Sequence, residues 1–422
     1  MEGYKSYSDS GIQWLGQMPS HWTKKRLKSV FSRRSESYNP DENLQVLSLL
    51  KDVGVIPYSE KGNIGNKSKE DVSSYNIARK GDIVMNSMNV IIGSVDITPY
   101  DGYISPAYYA LYSDSSIVTK YFNYLFHLKA VQKQMRCLAS GILEIRLRLS
   151  STKLFGMYFP FPPLSEQEKI VKYLEDEIQK IDSFKNQKEN EIQVLNELKD
   201  AILADVINHG LNDNASLKAS GIFWQPQIPE NWHVSRMKHV LVKLDRARRP
   251  DDELLVCSNS GEVKMRGDSK MGLVSDSDDI YQGVRAGDLL IHGMDTWHGA
   301  IAVSQYDGMC TPVVHVCDSS QNKHYIAMYL RNMANQKIFK LISNGVRQNT
   351  SDFRSWNKVA NIPIPLPPIE EQDAIVKFVD SKTKAIDSMV SSISAEIELL
   401  AEYKQRLIAD VVTGRINVQN IE

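Results

Sequence analysis

The sequence predicts an α+β fold made twice over. Two mixed α/β globular domains alternate with two long helices that pair as a coiled coil, giving a pseudo-twofold tandem repeat. Three observations carry this. Segments 159–212 and 364–417 are near copies, opening on FPFPPLSEQ and IPLPPIEEQ and closing on ILADVINHGLN and LIADVVTGRIN. Apolar residues recur in threes and fours through both, the pattern of a long helix burying one narrow face against another helix. Finally, the stretch 10–30 returns as 220–240, with Trp14, Pro19 and Trp22 matched by Trp224, Pro229 and Trp232. The resulting boundaries are 1–159 and 216–364 for the globular domains, and 160–215 and 365–422 for the helices.

The first helical seam runs through Val171, Leu174, Ile178, Ile181, Ile192, Leu195 and Ile202. The second contains Val379, Ile386, Ile393, Leu400 and Leu407. Neither helix holds an internal Pro or Gly. Pro162 and Pro163, like Pro367 and Pro368, force an extended entry. Ser165 is the expected N-cap, with Glu168 completing a capping box; the second copy relies instead on Glu370, Glu371 and Asp373 against the positive helix end. Gly210 and Gly414 mark the far ends, where a left-handed cap suits glycine. About 45 residues at 1.5 Å each make a rod of roughly 65–70 Å. Lys185 and Lys188 interrupt the first seam, either as a polar layer that sets register or by snorkelling to water. Antiparallel packing is the expected arrangement, although the sequence leaves the parallel one open.

Within the globular domains, 44–50 and 254–258 read as strands. KGDIVMNSM (80–88) and AGDLLIHGM (286–294) read as a turn followed by a strand. Gly93, Asp101, Gly102 and Pro106 return as Gly299, Asp307, Gly308 and Pro312, suggesting a hairpin with a tight turn. Short helices are expected over 117–135 and 325–341. The loops diverge: KGNIGNKSKED (61–71) has no clear match in the second half. Two readers of different targets need a shared scaffold with different loops, while neutral drift accounts for the same divergence.

At 422 residues and 42% apolar composition, the chain can bury more than one core. No apolar run reaches membrane-spanning length and MEGYKSYSDS is too polar for a signal peptide, so a cytoplasmic protein without membrane contact is expected. Cys137, Cys257, Cys310 and Cys317 form no CxxC pair and fit buried thiols in a reducing compartment. The net charge of −1 hides a segregation: +6 over residues 1–160, −6 over 161–215, +3 over 216–365 and −4 over 366–422. Acidic rods repel a polyanion, so any nucleic acid meets the globular domains.

SGI-x-W followed by P-x-x-W, the GD-plus-strand segment, and PPLSEQ and PPIEEQ leading long helices together resemble the specificity subunit of type I restriction-modification systems. The likeness covers nearly all of the chain. It implies that the globular domains are target recognition domains, each reading half of an asymmetric, bipartite site in double-stranded DNA. It implies that the helices act as spacer and as docking surface for two methyltransferase subunits, with motor-nuclease subunits joining. S-adenosylmethionine, ATP and Mg²⁺ would then belong to those partners, and this chain would bind no cofactor itself. A rigid helix pair suits that role because it sets distance better than a loop does. The recognised bases and the spacer length stay outside what the resemblance supplies.

Base reading needs Arg, Lys, Asn or Gln at groove edges, and phosphate binding needs exposed donors. Candidates in the first domain are Lys61, Asn63, Asn66, Lys67, Lys69, Asn86, Asn89, Arg146 and Arg148. In the second they are Arg246, Arg248, Arg249, Arg266, Lys270, Trp297, His298, Arg347, Gln348, Asn349 and Arg354, with 246–249 and 347–354 favoured as clusters. Each residue alone is otherwise an ordinary solvated side chain. Two other readings compete. Asp251, Glu262 and Lys264 spell a PD…ExK nuclease signature, although the first copy lacks the lysine and so short a pattern arises by chance. The second has the helices scaffold two protein-binding domains without DNA. Methyltransferase and Walker-type signatures are absent, and His292 and His298 lack a third ligand nearby in sequence, so no metal site is expected.

Overall fold

The apolar stripes fold as two uninterrupted helices, Leu164–His209 of 46 residues and Ile369–Val412 of 44 residues. The structure is a computed structural model and describes residues 2–62, 71–141, 147–267, 280–343 and 353–419. Contacts divide the chain into two compact units, Met1–Gln187 with Ala395–Glu422, and Lys188–Ser394. The division falls inside both helices. Unit 1 therefore holds the start of the first helix and the end of the second, and unit 2 holds the other two halves.

Within each unit the helix segments run antiparallel. In unit 1, Lys169 Nζ donates to the Gln419 carbonyl at 3.0 Å and Lys404 Nζ to Asp182 at 2.7 Å. In unit 2, Lys199 Nζ reaches Asp387 at 2.7 Å, and Gly210 lies against Glu371. Partner numbers fall as helix numbers rise in both cases. The bridges are copies of one another, because Lys199 and Asp182 recur as Lys404 and Asp387 at the helix repeat of 205. Val171, Leu174, Ile181 and Leu407 are buried in unit 1, with Ile178 and Leu400 packed against them. Val379, Ile386 and Ile393 are buried in unit 2, and Ile192, Leu195 and Ile202 are half-buried. Lys185 and Lys188 are also half-buried, and Lys188 pairs with Glu191 at 3.2 Å.

The helix entries differ from the expected capping box. The first helix starts at Leu164, so Ser165 already lies inside it. The Pro163 carbonyl accepts from the Gln167 N–H, which makes Pro163 the cap. The Gln167 side chain reaches back to the Pro162 carbonyl at 2.9 Å, and Gln372 does the same to Pro367 at 2.9 Å. The preceding glutamates are also engaged. Trp22 Nε1 donates to Glu166 at 2.9 Å and Trp232 Nε1 to Glu371 at 3.0 Å. The P-x-x-W and PP-x-x-EQ motifs are therefore the two halves of one lock, which ties the opening strands of each unit to the start of a long helix. Both glycine ends behave as expected: Gly210 (φ +77°) and Gly414 (φ +76°) sit against Trp232 and Trp22, where a Cβ would collide.

Each unit is built around a four-stranded antiparallel sheet. The order in unit 1 is Ser32–Arg33, Tyr108–Tyr112, Ile83–Asn86, Val95–Ile97. In unit 2 it is Val242–Lys243, Val314–Asp318, Leu289–His292, Ile301–Val303. Hairpins Leu47–Leu50/Gly54–Pro57 and Leu255–Cys257/Val263–Met265 occupy matching places. One expectation needs correcting: the segments around Asp101 and Asp307 are crossovers, not hairpins. Gly102–Ile104 pairs with Asn76–Ala78 rather than with Val95–Ile97, and Asp101 Oδ1 accepts from the Lys80 N–H at 2.6 Å to hold the bend. The single helix expected over 117–135 is two, Ser116–His127 and Lys129–Leu138, broken where Leu128 turns extended. That over 325–341 breaks likewise at Lys337, which has a φ of +59°. The cysteines also split. Cys257, Cys310 and Cys317 are buried in unit 2, and burial pushes each thiol up to about 12, but Cys137 is exposed.

Candidate nucleic-acid interface

The GD motif is an anchor beneath the variable turns. Gly81 and Gly287 adopt φ values of +94° and +92°, which favour glycine, and aim the next aspartate inward. Asp82 accepts from Arg34 Nη2 at 2.8 Å and from the Arg79 N–H at 2.9 Å. Asp288 accepts from Arg246 and from the Arg285 N–H at 2.7 Å. The Asp82 hydrogen bond holds the Arg34 guanidinium pKa well above its ordinary value, and Asp288 raises that of Arg246 in the same way. A second ring closes around this. Arg79 binds Glu36 and Glu42, while Arg285 binds Asp252 at 3.1 Å. Burial works against the Asp252 carboxylate, but the Arg249 N–H and the Arg285 guanidinium outweigh it and keep its pKa below normal.

This lattice sorts the sequence candidates. Arg246 belongs to the scaffold, with its charge answered by Asp288. Arg249 is exposed and pairs with Asp307 at 3.3 Å, and Arg248 is half-buried beside it. Lys61 is buried with its ammonium 5.1 Å from the Tyr58 ring centre. Asn86 is buried, and its Oδ1 accepts from the Met88 N–H at 3.1 Å. Asn89, Arg148, His298 and Arg354 are exposed; Arg266 is half-buried and donates its N–H to the Leu254 carbonyl. Trp297 is half-buried, with Lys340 Nζ 5.7 Å from its ring centre and its Nε1 without a hydrogen-bond partner among the described residues. Asn63, Asn66, Lys67, Lys69, Arg146, Lys270, Arg347, Gln348 and Asn349 lie outside the described residues.

The fold brings Asn89 of unit 1 and Trp297 with His298 of unit 2 onto one repeated feature. This is a 3-10 turn closed by a left-handed glycine, Val90–Ile92 with Gly93 and Thr296–His298 with Gly299. The backbone is the same and the side chains are not. Beside it in unit 2 stands a residue the sequence did not single out. Arg331, on the helix Lys323–Asn335, lays its guanidinium against Gly261 in the hairpin turn, and its Nε approaches Gly299. Nothing in a helical heptad marks that position as facing two glycine turns.

The nuclease signature does not assemble. Asp251 precedes the strand Leu255–Cys257, and Glu262 follows the turn at that strand's far end. Lys264 Nζ pairs with Glu262 at 2.7 Å, and that hydrogen bond lowers the carboxyl pKa. Among the described residues no group of three or more His, Cys, Asp or Glu could hold a metal ion, and no helix is long and apolar enough to cross a membrane.

A duplicated framework whose matching turns carry different side chains defines a tandem recognition protein. The chain belongs to the type I restriction modification DNA specificity family, whose profile matches residues 19–194 and 299–399, more than half of the chain. It is 23% identical over 429 residues to the putative type I restriction enzyme MjaX specificity subunit of Methanocaldococcus jannaschii, with 96% of each chain covered. It is 25% identical to the EcoBI specificity subunit of Escherichia coli over 64% of this chain and 61% of that one. Two solved structures share the fold. A chain from work on complex assembly and conformational transition of the type I R-M system superposes with a TM-score of 0.67 at 17% identity, covering 94% of this chain and 99% of that one. The HsdS subunit from Thermoanaerobacter tengcongensis gives 0.53 at 16% identity, covering 94% and 98%.

Proposed function

We propose that the chain is the DNA-reading subunit of a type I restriction-modification complex, in which each unit reads one half of an asymmetric bipartite site. The repeated 3-10 turn is the observation that carries this. It places Asn89, Ile91 and Ile92 in one unit and Asp295, Trp297 and His298 in the other at matching positions of the same backbone, with Val90 and Thr296 buried beneath. A fixed scaffold with exchanged turn residues suits two different half-sites, since base edges are told apart by which donors and apolar groups are offered. Chemistry then falls to partners: two methyltransferase subunits using S-adenosylmethionine, and motor-nuclease subunits using ATP and Mg²⁺. The assembly works in the cytoplasm, where the DNA is. Neither rival gains support, because the PD…ExK residues are spread along a hairpin and the family match favours DNA over a protein scaffold.

Mapping methylated adenines in the host genome tests the reading. One motif with two defined halves, lost when this chain is deleted, is the expected result. Unchanged methylation after deletion would refute it.

A further inference from the structure

Arg331 is a cation in an unusual position. It is half-buried, yet its guanidinium makes no ion pair or hydrogen bond among the described residues. The two carboxylates within electrostatic reach make no direct bond to it. Asp200 accepts from Asn335 Nδ2 at 2.9 Å, and Glu262 is held by Lys264 and Ser260. Burial pulls the guanidinium pKa below its usual value, as expected for a charge with no close counter-ion. Buried charges are ordinarily paired; Arg331 is partly removed from water and keeps its guanidinium donors unfilled among the described residues.

Its seat is purpose-shaped. A Cβ at Gly261 would lie 2.2 Å from Arg331 Cζ, so only glycine at that turn lets the guanidinium lie flat on the hairpin. Its Nε also lies 4.0 Å from where a Cβ would stand on Gly299, the left-handed glycine that closes the 3-10 turn. Two side-chain-free turns therefore flank one planar fork with spare donors. A guanidinium fork matches two oxygens of a phosphate. Base edges lie in the groove and call for a protruding reader, whereas backbone phosphates stand on the duplex surface and suit a donor seated low between turns.

We propose that Arg331 is a phosphate clamp of unit 2, binding one phosphate of the target's sugar–phosphate backbone and so setting the Thr296–His298 turn against the duplex. The inference rests on the DNA-reading function above.

The test uses the full chain assembled with its methyltransferase partner, with equilibrium binding to cognate and scrambled duplexes measured across a salt series. Arg331→Gln should lower the slope of log affinity against log salt by about 0.9, the signature of one lost phosphate contact. It should do so equally on both duplexes, leaving half-site discrimination intact. Arg331→Lys keeps the charge and should restore most of the slope, which also guards against a fold defect in the glutamine variant. Gly261→Ala keeps the arginine but pushes its head aside while straining a φ of +76°, so a variant that still folds should copy Arg331→Gln. A wild-type slope in the folded glutamine variant overturns the clamp. So does loss of discrimination at unchanged slope, which would make Arg331 a base reader, and so does loss of the methyltransferase, which would make it a protein contact. A wild-type complex without sequence-selective, salt-dependent binding would instead sink the DNA-reading function and take the clamp with it.

Discussion

Gly54 of unit 1 and Gly261 of unit 2 stand in matching hairpins, one register position apart, and have neighbours of opposite charge. At Gly54 a Cβ would meet the Asp96 carboxylate at 2.4 Å, and at Gly261 it would meet the Arg331 guanidinium at 2.2 Å. The nearby 3-10 turns differ in the same sense. Gly93 faces the neutral Gln132 amide, which donates to the His127 carbonyl at 3.1 Å, whereas Gly299 has Asn259, Ala334 and, at 4.0 Å, the Arg331 Nε around its missing Cβ. The backbone ladders around these turns are alike in both units. Main-chain hydrogen bonds hold the duplicated scaffold, so charges on its turns can reverse without unmaking the fold. The anchoring ion pair makes the same point. Asp82 takes its arginine from position 34, where the Arg34 N–H binds the Ala110 carbonyl; the matching backbone position in unit 2 is Leu244, and Asp288 takes Arg246 from two residues further on.

Three experiments test how far the two units differ. The largest effect belongs to the tryptophan locks. Trp22→Ala and Trp232→Ala each remove a buried ring and should cost about 3–5 kcal/mol. The unit 2 variant should lose more. Glu166 keeps Tyr4 and His21 as donors once Trp22 has gone, but Glu371 keeps only Asn231 among the described residues. Urea unfolding, with hydrogen exchange followed separately in each unit, would decide it; equal losses would remove the asymmetry.

A smaller effect is acid sensitivity confined to unit 2. His292 and His315 stand where unit 1 has Asn86 and Tyr109, on paired strands of the sheet. Burial lowers both histidine pKa values from the ordinary 6.5; Asp295 pulls His292 the other way, and the Phe353 carbonyl does so for His315. A depressed folded pKa means the unfolded chain binds protons first. The stability these neutral rings contribute is therefore present above pH 6.5 and lost as pH falls from there through the folded values. Hydrogen exchange in the strands Leu289–His292 and Val314–Asp318 should accelerate as pH falls below about 6.5, and in the matching unit 1 strands it should not. His315→Gln should flatten the response, whereas an identical acid response in both units would contradict the assignment.

The smallest effect belongs to the bridges between helix segments. Lys404 reaches both oxygens of Asp182 in unit 1, while Lys199 reaches one oxygen of Asp387 in unit 2. Lys404→Ala should cost up to about 1 kcal/mol and Lys199→Ala less, with both effects fading in high salt. A larger loss from Lys199→Ala in thermal unfolding would reverse the ranking.

Much of this molecule was legible before its coordinates. The helix spans follow from a period of three and four sustained without Pro or Gly, and their glycine ends from a local need for positive φ. The lock between P-x-x-W and PP-x-x-EQ was visible as two repeated motifs but not as one contact, because Trp22 and Glu166 are 144 residues apart. The candidate interface was harder to read. Arg246 has the composition of a DNA contact, and only the register of the strands reveals Asp288 waiting for it. Arg331 looks like any helical arginine until the helix is packed over two glycine turns.

The sequence alone determined that the chain is one unit written twice, that each copy carries a long unbroken helix, and that Gly210 and Gly414 bend left at their ends. These depend on residues that are neighbours along the chain, whose backbone preferences act locally. Tertiary structure alone decided the antiparallel direction of the helix segments within each unit, which arginines are neutralised by the scaffold, and which one is left seeking an anion. Those outcomes depend on which groups meet across a core, and charge pairing is settled by distance in space rather than by separation in sequence.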